Sequence, residues 1–186
     1  METARAWSGN AVASRIRFTD VAPKQDHISR AKVCDLFLDT PECNAHTTAA
    51  DVLWSSTPLL TLPRYPYKMC SRMAASILRG ALPRGPLGDQ AARELVCADE
   101  REYEERAVAL ANGMSWKRIY YVDSSTGGSN YYCEPVGRLG ELRRLLFESK
   151  WNCALFDTRR WVRDLEEAYE KAWRNWVEGI PGDIWL

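Results

Sequence analysis

The chain has 186 residues, which is enough for one substantial domain with its own core, or for part of a larger one, but not for two full domains. Lysine plus arginine and aspartate plus glutamate both number 25, so the formal net charge of zero provides no overall field that would attract nucleic acid or an anionic membrane. No apolar run approaches the roughly 20 residues needed to cross a bilayer. We therefore expect a soluble protein without nucleic-acid or membrane partners, in which any anion site is local.

The cysteines favour a reducing environment. There are six, and none of them forms a CxxC pair: Cys34, Cys43, Cys70, Cys97, Cys133 and Cys153. No signal-like apolar segment follows Met1. This pattern argues against a zinc ribbon and against a secreted disulfide framework, and it predicts reduced thiols in a cytoplasmic or nuclear protein.

Strand-like and helix-like segments alternate in the first half of the chain. They are a strand at 15–21, a short polar helix at 24–32, a strand at 35–40, a helix at 46–56 and a strand at 59–63. Such alternation is typical of βαβ units. The sequence therefore predicts an α/β fold in which a parallel sheet is flanked by helices.

The second half reads mainly as helices. Segments 70–82, 98–113 and 137–150 have helical patterns, whereas residues 114–136 contain two aromatic runs around a Ser/Thr/Gly turn and predict a hairpin or an inserted excursion. Asp157 or Thr158 should cap a long final helix that ends at Gly179.

Tryptophan is concentrated near the C-terminus. Five of the eight tryptophans follow residue 150, namely Trp151, Trp161, Trp173, Trp176 and Trp185. Together with Leu165, Tyr169 and Ala172, three of them form a stripe at helical spacing on the final helix. A stripe of this kind usually packs in the core, and that is our expectation. The alternative is that it covers a partner domain.

A cluster of polar side chains follows the second predicted strand. His46, Thr47 and Thr48 stand where the next helix begins, and Asp51 lies four residues after Thr47 on the same helical face. Helix amides, hydroxyl groups and an imidazole at this place suit a phosphate or diphosphate, and Asp51 could accept hydrogen bonds from a ribose. Ordinary helix capping by Thr48 with Asp51 is an equally open alternative.

A second cluster follows the first predicted strand. Lys24, His27 and Arg30 are three residues apart, so on a helix they share one arc. Such an arc suits a nucleotide edge and its phosphates, although a solvated helix face is by itself the more common explanation. Because the carboxyl ends of parallel strands lie side by side, we expect the two clusters to be neighbours.

Several kinds of catalytic site find no support in the sequence. There is no Walker or Rossmann glycine fingerprint, no HExxH and no GxSxG, and the chain has only two histidines, His27 and His46. A hydrolase triad or a histidine-rich metal site is therefore not expected. Cys43 lies beside the anion cluster, and we expect it to be a small buried cysteine rather than a nucleophile.

These motifs resemble one known family. The segments "VAPK" (21–24), "CNAHTT" (43–48) and "LFDT" (155–158), in this order, closely resemble the C-terminal catalytic lobe of the protein O-GlcNAc transferases, which transfer GlcNAc from UDP-GlcNAc to proteins. The resemblance runs from about Arg15 to Trp176 and is interrupted after Met114. It implies the Rossmann-like C-terminal lobe of a GT-B glycosyltransferase, whose donor nucleotide is held mainly by this second lobe.

The resemblance also implies residue roles. The Ala22 backbone, Lys24, His27 and Arg30 would surround the uracil and ribose of UDP. His46, Thr47 and Thr48 would hold the diphosphate, and Asp51 would bind the ribose. The "CNxHTT" pattern favours UDP-GlcNAc over GDP-fucose as the donor. No metal or other cofactor is implied.

The chain departs from the family in three ways. Alanine replaces the usual glycine at position 45, where an added methyl group could restrict the diphosphate loop. The segment "LPRYPYK" (62–68) replaces a glycine-bearing loop. The chain also has no counterpart of the tetratricopeptide repeats, of the first lobe with its proposed catalytic base, or of an upstream lysine that contacts the diphosphate.

We therefore expect residues 1–14 to be an N-terminal extension and residues 15–186 to be the donor-nucleotide-binding lobe, with an inserted segment at about 114–136. The expected function is that of the donor-binding half of an inverting enzyme that modifies Ser/Thr of intracellular proteins in the cytoplasm or nucleus. No catalytic residue is expected in this chain. The alternative is a non-catalytic nucleotide-binding or interaction module, or a truncated fragment that lacks the first lobe.

Overall fold

The computed structural model of the chain describes residues 1–125 and 127–184. Thr126, which belongs to the turn of the predicted hairpin segment, and Trp185 and Leu186, which belong to the tryptophan-rich C-terminal stretch, lie outside the described residues.

A small parallel sheet forms the centre of the fold. Strand β1 (Phe37–Leu38) pairs with β2 (Leu59–Leu60), with Phe37 opposite Leu59 and Leu38 opposite Leu60. A parallel bridge between Thr61 and Val96 brings a third segment alongside β2. The predicted α/β fold, a parallel sheet with helices around it, is confirmed.

Eight α-helices occur in the described part of the chain. Four precede the second half of the molecule: α1 (Glu2–Ala13), α2 (Lys24–Ala31), α3 (Thr47–Trp54) and α4 (Met73–Ala81). The other four are α5 (Pro86–Leu95), α6 (Glu100–Asn112), α7 (Arg138–Ser149) and α8 (Thr158–Glu178). Short 3₁₀ turns occur at Met69–Ser71 and Ala154–Phe156.

The core surrounds β2 and is built mostly from leucine and alanine. Its fully buried members are Leu53, Leu59, Leu60, Leu62, Ala74, Leu78, Ala91, Leu95, Leu142 and Leu146. These residues come from β2, from Leu62 just after it, and from helices α3, α4, α5 and α7. Burial of their apolar surface is the main favourable term for this arrangement.

The prediction of a strand at residues 15–21 is wrong. Residues 16–23 have no regular secondary structure, and the side chains of Phe18 and Val21 are 80% and 101% exposed. β-branched and aromatic residues form a strand only where a partner strand and a packed face are available, and this segment has neither. Helices α1 and α5 were not predicted.

The hairpin and the final helix were predicted correctly. Strands β3 (Ser115–Val122) and β4 (Ser129–Val136) are antiparallel, with Ser115 opposite Val136. Asp157 caps α8 by accepting a hydrogen bond from the amide of Arg160 at 3.0 Å, and Gly179 ends the helix with a left-handed φ of 68°.

The aromatic stripe of α8 is not in the core, which corrects our expectation. Trp161, Trp173 and Trp176 are 59%, 67% and 75% exposed, and no residue of α8 is buried. The rings of Trp173 and Trp176 stack on each other with centroids 5.5 Å apart. The stripe is amphipathic, but no element in the described part of the chain covers it. None of the helices described here has the length and apolar character required to cross a membrane.

Candidate functional site

The site lies where the loop after β1 leads into α3. Asp39 directly follows β1 and is buried, and its carboxylate connects this loop to the sheet. Oδ1 accepts a hydrogen bond from the amide of Ala45 at 2.7 Å, and Oδ2 accepts one from the hydroxyl of Thr61 at 2.7 Å. Burial raises the pKa of Asp39, while these hydrogen bonds and the nearby His46 oppose the rise. Sequence reasoning missed Asp39 as a positioning residue. Its only signal was a carboxylate directly after an apolar run.

Neighbouring segments fix the same loop from the side. The amide of Asn44 donates to the carbonyl of Cys70 at 2.8 Å, and the hydroxyl of Ser71 donates to the carbonyl of Pro41 at 2.7 Å. Arg64, from the segment that departs from the family, pairs with Glu42 at 2.8 Å. The loop is thus held in one conformation before any ligand arrives.

Helix α3 begins without a side-chain cap. His46 is the N-cap residue and no side chain accepts a hydrogen bond there, so the capping box of Thr48 with Asp51 is not formed. The amide of Ala50 makes the first intrahelical hydrogen bond, to the carbonyl of His46. The amides before it therefore have no intrahelical partner and are oriented to receive an anion.

The imidazole of His46 adds to this arrangement. Its Nε2 atom is buried and has no hydrogen-bond partner among residues 1–125 and 127–184. Buried polar atoms are rarely left unpaired in native structures. A ligand held between the imidazole and the first turn of α3 would satisfy this atom.

Helices α2 and α3 pack together and join the two predicted clusters. The hydroxyl of Ser55 donates to the carbonyl of Ile28 at 2.6 Å, and that of Thr57 donates to the carbonyl of Ala31 at 2.8 Å. This packing places Nε2 of His27 3.8 Å from Oδ2 of Asp51. One residue from each cluster thus lies within ion-pair distance of the other.

The remaining predicted site residues lie close to His27 or Asp51 along the chain. Ala22 is partly buried and lies in the segment before α2. The side chains of Lys24, Arg30, Thr47 and Thr48 form no hydrogen bond or ion pair with the described part of the chain. These four side chains therefore remain available as donors to a ligand. The structure contains no ligand against which the roles of the eight predicted residues could be compared, so those roles stay predictions.

Two expectations about this loop change with the structure. Ala45 does not have a positive φ, because Ser56 is the only such non-glycine residue in the described ranges, so alanine fits the backbone at position 45. Cys43 is exposed, which contradicts our expectation of a buried cysteine. Its thiol lies 3.9 Å from the carbonyl oxygen of Asn44.

No group of three or more His, Cys, Asp or Glu side chains is close enough to hold a metal ion in the ranges that the structure describes. The polar groups of the site are mainly donors, namely amides, hydroxyl groups, a lysine and an arginine. Such a set suits an anion rather than a cation.

Comparison with known proteins gives consistent results. The sequence profile described as "Glycosyl transferase family 41" matches residues 2–122. The chain is 38% identical over 166 residues to the probable UDP-N-acetylglucosamine–peptide N-acetylglucosaminyltransferase SEC of Arabidopsis thaliana, covering 89% of this chain and 14% of that protein. It is 31% identical over 170 residues to the UDP-N-acetylglucosamine–peptide N-acetylglucosaminyltransferase of Caenorhabditis elegans, covering 91% of this chain and 12% of that protein.

A solved structure also resembles this fold. A mutant O-GlcNAc transferase of Thermobaculum terrenum superposes with a TM-score of 0.65 at 25% identity, over 94% of this chain and 27% of that chain. The chain thus corresponds to only a small part of each of these three proteins. With a family profile that covers most of its length and relatives above 30% identity, the chain belongs to glycosyl transferase family 41.

Proposed function

We propose that this chain is the donor-binding half of a protein O-GlcNAc transferase, an inverting glycosyltransferase that transfers GlcNAc from UDP-GlcNAc to Ser/Thr of intracellular proteins. One observation carries the proposal: the packing of α2 on α3 places His27 beside Asp51 and joins two clusters of otherwise unpaired donors. The names of the relatives from Arabidopsis thaliana and Caenorhabditis elegans support the choice of UDP-GlcNAc as donor.

In this proposal, each group has a definite part. Lys24, His27, Arg30 and the backbone of Ala22 bind the uridine, and Asp51 accepts a hydrogen bond from the ribose. His46, Thr47, Thr48 and the first-turn amides of α3 bind the diphosphate. Asp39 positions the loop without contacting the ligand.

The chain's contribution to catalysis is electrostatic. Negative charge develops on UDP as the sugar leaves, and the N-terminus of α3 with its two threonines stabilises that charge. These donors take the place of a metal ion, so none is required. The catalytic base, the first lobe of the GT-B enzyme and the tetratricopeptide repeats that recruit acceptors are supplied from outside residues 1–186. The proposed location is the cytoplasm or nucleus.

A calorimetric titration of the 186-residue chain with UDP, in buffer containing EDTA, tests the site. Lys24→Ala should weaken UDP binding about tenfold or more, because a charge-assisted hydrogen bond contributes about 1.5–3 kcal/mol. The double substitution Thr47→Val/Thr48→Val should have a similar effect with little change in shape. Lys117→Ala, at an exposed position on β3, is the matched control and should bind like the wild type. Unchanged affinity in Lys24→Ala would reject the site.

A second candidate is a non-catalytic nucleotide-binding module, because the polar groups around His27 and Asp51 suit an anion and none of them is assigned as a general base. Peptide GlcNAcylation assays distinguish the two candidates. We expect no transfer by the chain alone and restored transfer when a first-lobe protein of the family is added. Tight UDP binding without any transfer under both conditions would favour the non-catalytic module.

A further inference from the structure

A cavity lies away from the candidate donor site. It has a volume of about 380 Å³ and is formed by the C-terminal ends of α2 and α3, by the end of β4 and by α7. Its wall includes Lys32, Ser56, Phe147 and Lys150, and none of the eight predicted donor-site residues lines it. Helix α3 has eight residues, so about 12 Å of helix separates Thr47 from this end.

Three cationic side chains of this wall, those of Lys32, Arg143 and Lys150, have no compensating carboxylate in the described part of the chain. Neither Lys32 nor Lys150 forms an ion pair within residues 1–125 and 127–184, and the acidic residue of the wall, Glu134, pairs with Arg144. Burial, followed by repulsion from Lys32, lowers the pKa of Lys150. The ends of α2 and α7 account for a single lysine each, since cations are favoured at helix C-termini, but they do not account for two that repel each other across one cavity.

Unpaired buried polar atoms point to a missing ligand in the same wall. Ser56 is only 4% exposed, and its hydroxyl has no hydrogen-bond partner in the described part of the chain. It is also held at a φ of +62°, a strained backbone conformation for a residue other than glycine. The Nε atom of Arg143, another residue of the wall, is likewise buried and unpaired.

The chemistry of the wall specifies the head group. The Nη2 atom of Arg143 donates to the carbonyls of Lys32 and Cys34 at 3.0 and 2.7 Å, so these bonds anchor the guanidinium group to the end of α2. The donors of the wall without a partner in the described ranges include the ammonium groups of Lys32 and Lys150, the hydroxyl of Ser56 and the fixed Nε atom of Arg143. An anion with more than one charge suits this wall, and a phosphate monoester is dianionic above its second pKa of about 6.

The opposite side of the cavity is apolar. Phe147 and Pro135 line it, and the ammonium group of Lys150 lies 4.4 Å from the centroid of the Phe147 ring. The volume falls within the range of about 300–1,000 Å³ that is typical of small-molecule sites. A flat apolar group attached to the phosphate would pack against this side.

We propose that this cavity binds a free, small aryl-type phosphate monoester, with its phosphate between Lys32 and Lys150 and its flat apolar body against Phe147 and Pro135. The phosphate accepts a hydrogen bond from the hydroxyl of Ser56. This site is independent of the donor site described above.

Phenyl phosphate is the probe, titrated into the full chain at pH 8 in the presence of saturating UDP and followed by tryptophan fluorescence and calorimetry. We expect binding to the wild type that weakens at least tenfold in Lys32→Met and in Lys150→Met. Lys117→Met, at an exposed lysine of β3, is the matched control and should bind like the wild type. Circular dichroism shows whether each variant is folded.

Three further ligands define the specificity. Each should bind at least tenfold more weakly than phenyl phosphate. Benzoate carries only one negative charge, benzyl alcohol carries none, and inorganic phosphate lacks the apolar body. Equal affinity for inorganic phosphate and phenyl phosphate, or equal affinity in Lys150→Met and Lys117→Met, would overturn the proposal. Tighter binding of a phosphotyrosine peptide than of phenyl phosphate would overturn the assignment to a free small molecule. Because UDP occupies the donor site or does not bind at all, the result does not depend on the proposed function.

Discussion

At the scale of single residues, Asp39 decides the shape of the candidate donor site although it need not touch the ligand. Its two carboxylate oxygens join the loop before α3 to Thr61 beside β2. Its carbonyl accepts a hydrogen bond from the hydroxyl of Tyr103 at 2.7 Å, and burial raises the pKa of Tyr103 to about 12. One residue thus connects the loop, the sheet and helix α6.

Asp39 should make stability depend on pH. Burial raises the pKa of Asp39 in the folded chain above the usual value of 3.8. Between the pKa of the unfolded chain and that of the folded chain, the folded chain therefore binds more protons than the unfolded chain. The contribution of Asp39 is therefore most favourable below the unfolded value and is lost as the pH rises through the folded value. In Asp39→Asn this loss is absent, so the stability of the variant relative to the wild type should increase over that window.

Urea unfolding between pH 4 and pH 8 measures this difference in the free energy of unfolding. Asp20→Asn, at an exposed position, is the matched control and should reproduce the wild-type profile. A difference between Asp39→Asn and the wild type that stays constant over the whole range would contradict the prediction.

At the scale of elements, the hairpin is attached to the core through α7. A Cβ atom at Gly140 would overlap the carbonyl oxygen of Pro135 in β4, so only glycine allows this close approach. Leu142 and Leu146 on the same helix are fully buried in the core. Helix α7 thus packs on both the core and the hairpin.

Gly140→Ala should therefore destabilise the chain by about 2 kcal/mol, as overpacking typically does. Gly80→Ala in α4 is the matched control. Its added methyl group would lie 3.5 Å from Cβ of Leu155, an ordinary contact, so this change should be neutral or stabilise the helix by up to about 1 kcal/mol. Chemical denaturation measures both variants. Equal stability of the two would mean that the close approach of α7 and β4 is not required.

At the scale of the whole molecule, the aromatic stripe of α8 is an exposed surface that no element covers within residues 1–125 and 127–184. Trp161, Tyr169, Trp173 and Trp176 are all more than half exposed on one long helix. Contiguous apolar patches of this kind mark interaction surfaces. In the proposed enzyme, the stripe would lie against the first lobe.

The isolated chain should therefore self-associate through α8. Light scattering should show a mass that rises with concentration, and the double substitution Trp173→Gln/Trp176→Gln should reduce this rise. Trp7→Gln removes a tryptophan that is 88% exposed on α1 and should leave association unchanged. A wild-type chain that stays monomeric at every concentration would refute the prediction.

The sequence by itself determined the α/β class, six of the eight helices in the described part of the chain and the hairpin, because these follow from local periodicity and capping. Its motifs indicated the family by resemblance, and they predicted that the clusters of His27 and Asp51 are neighbours. Tertiary structure decided the rest. Residues 15–21 have strand-forming side chains but no partner strand, and the stripe of α8 is amphipathic but uncovered. The roles of Asp39 and Ser56 depend on tertiary packing. The buried carboxylate of Asp39 accepts hydrogen bonds from two partners, whereas the buried hydroxyl of Ser56 has none in the described part of the chain. Local sequence fixes what a segment can form, whereas burial and pairing depend on residues that are distant in the chain.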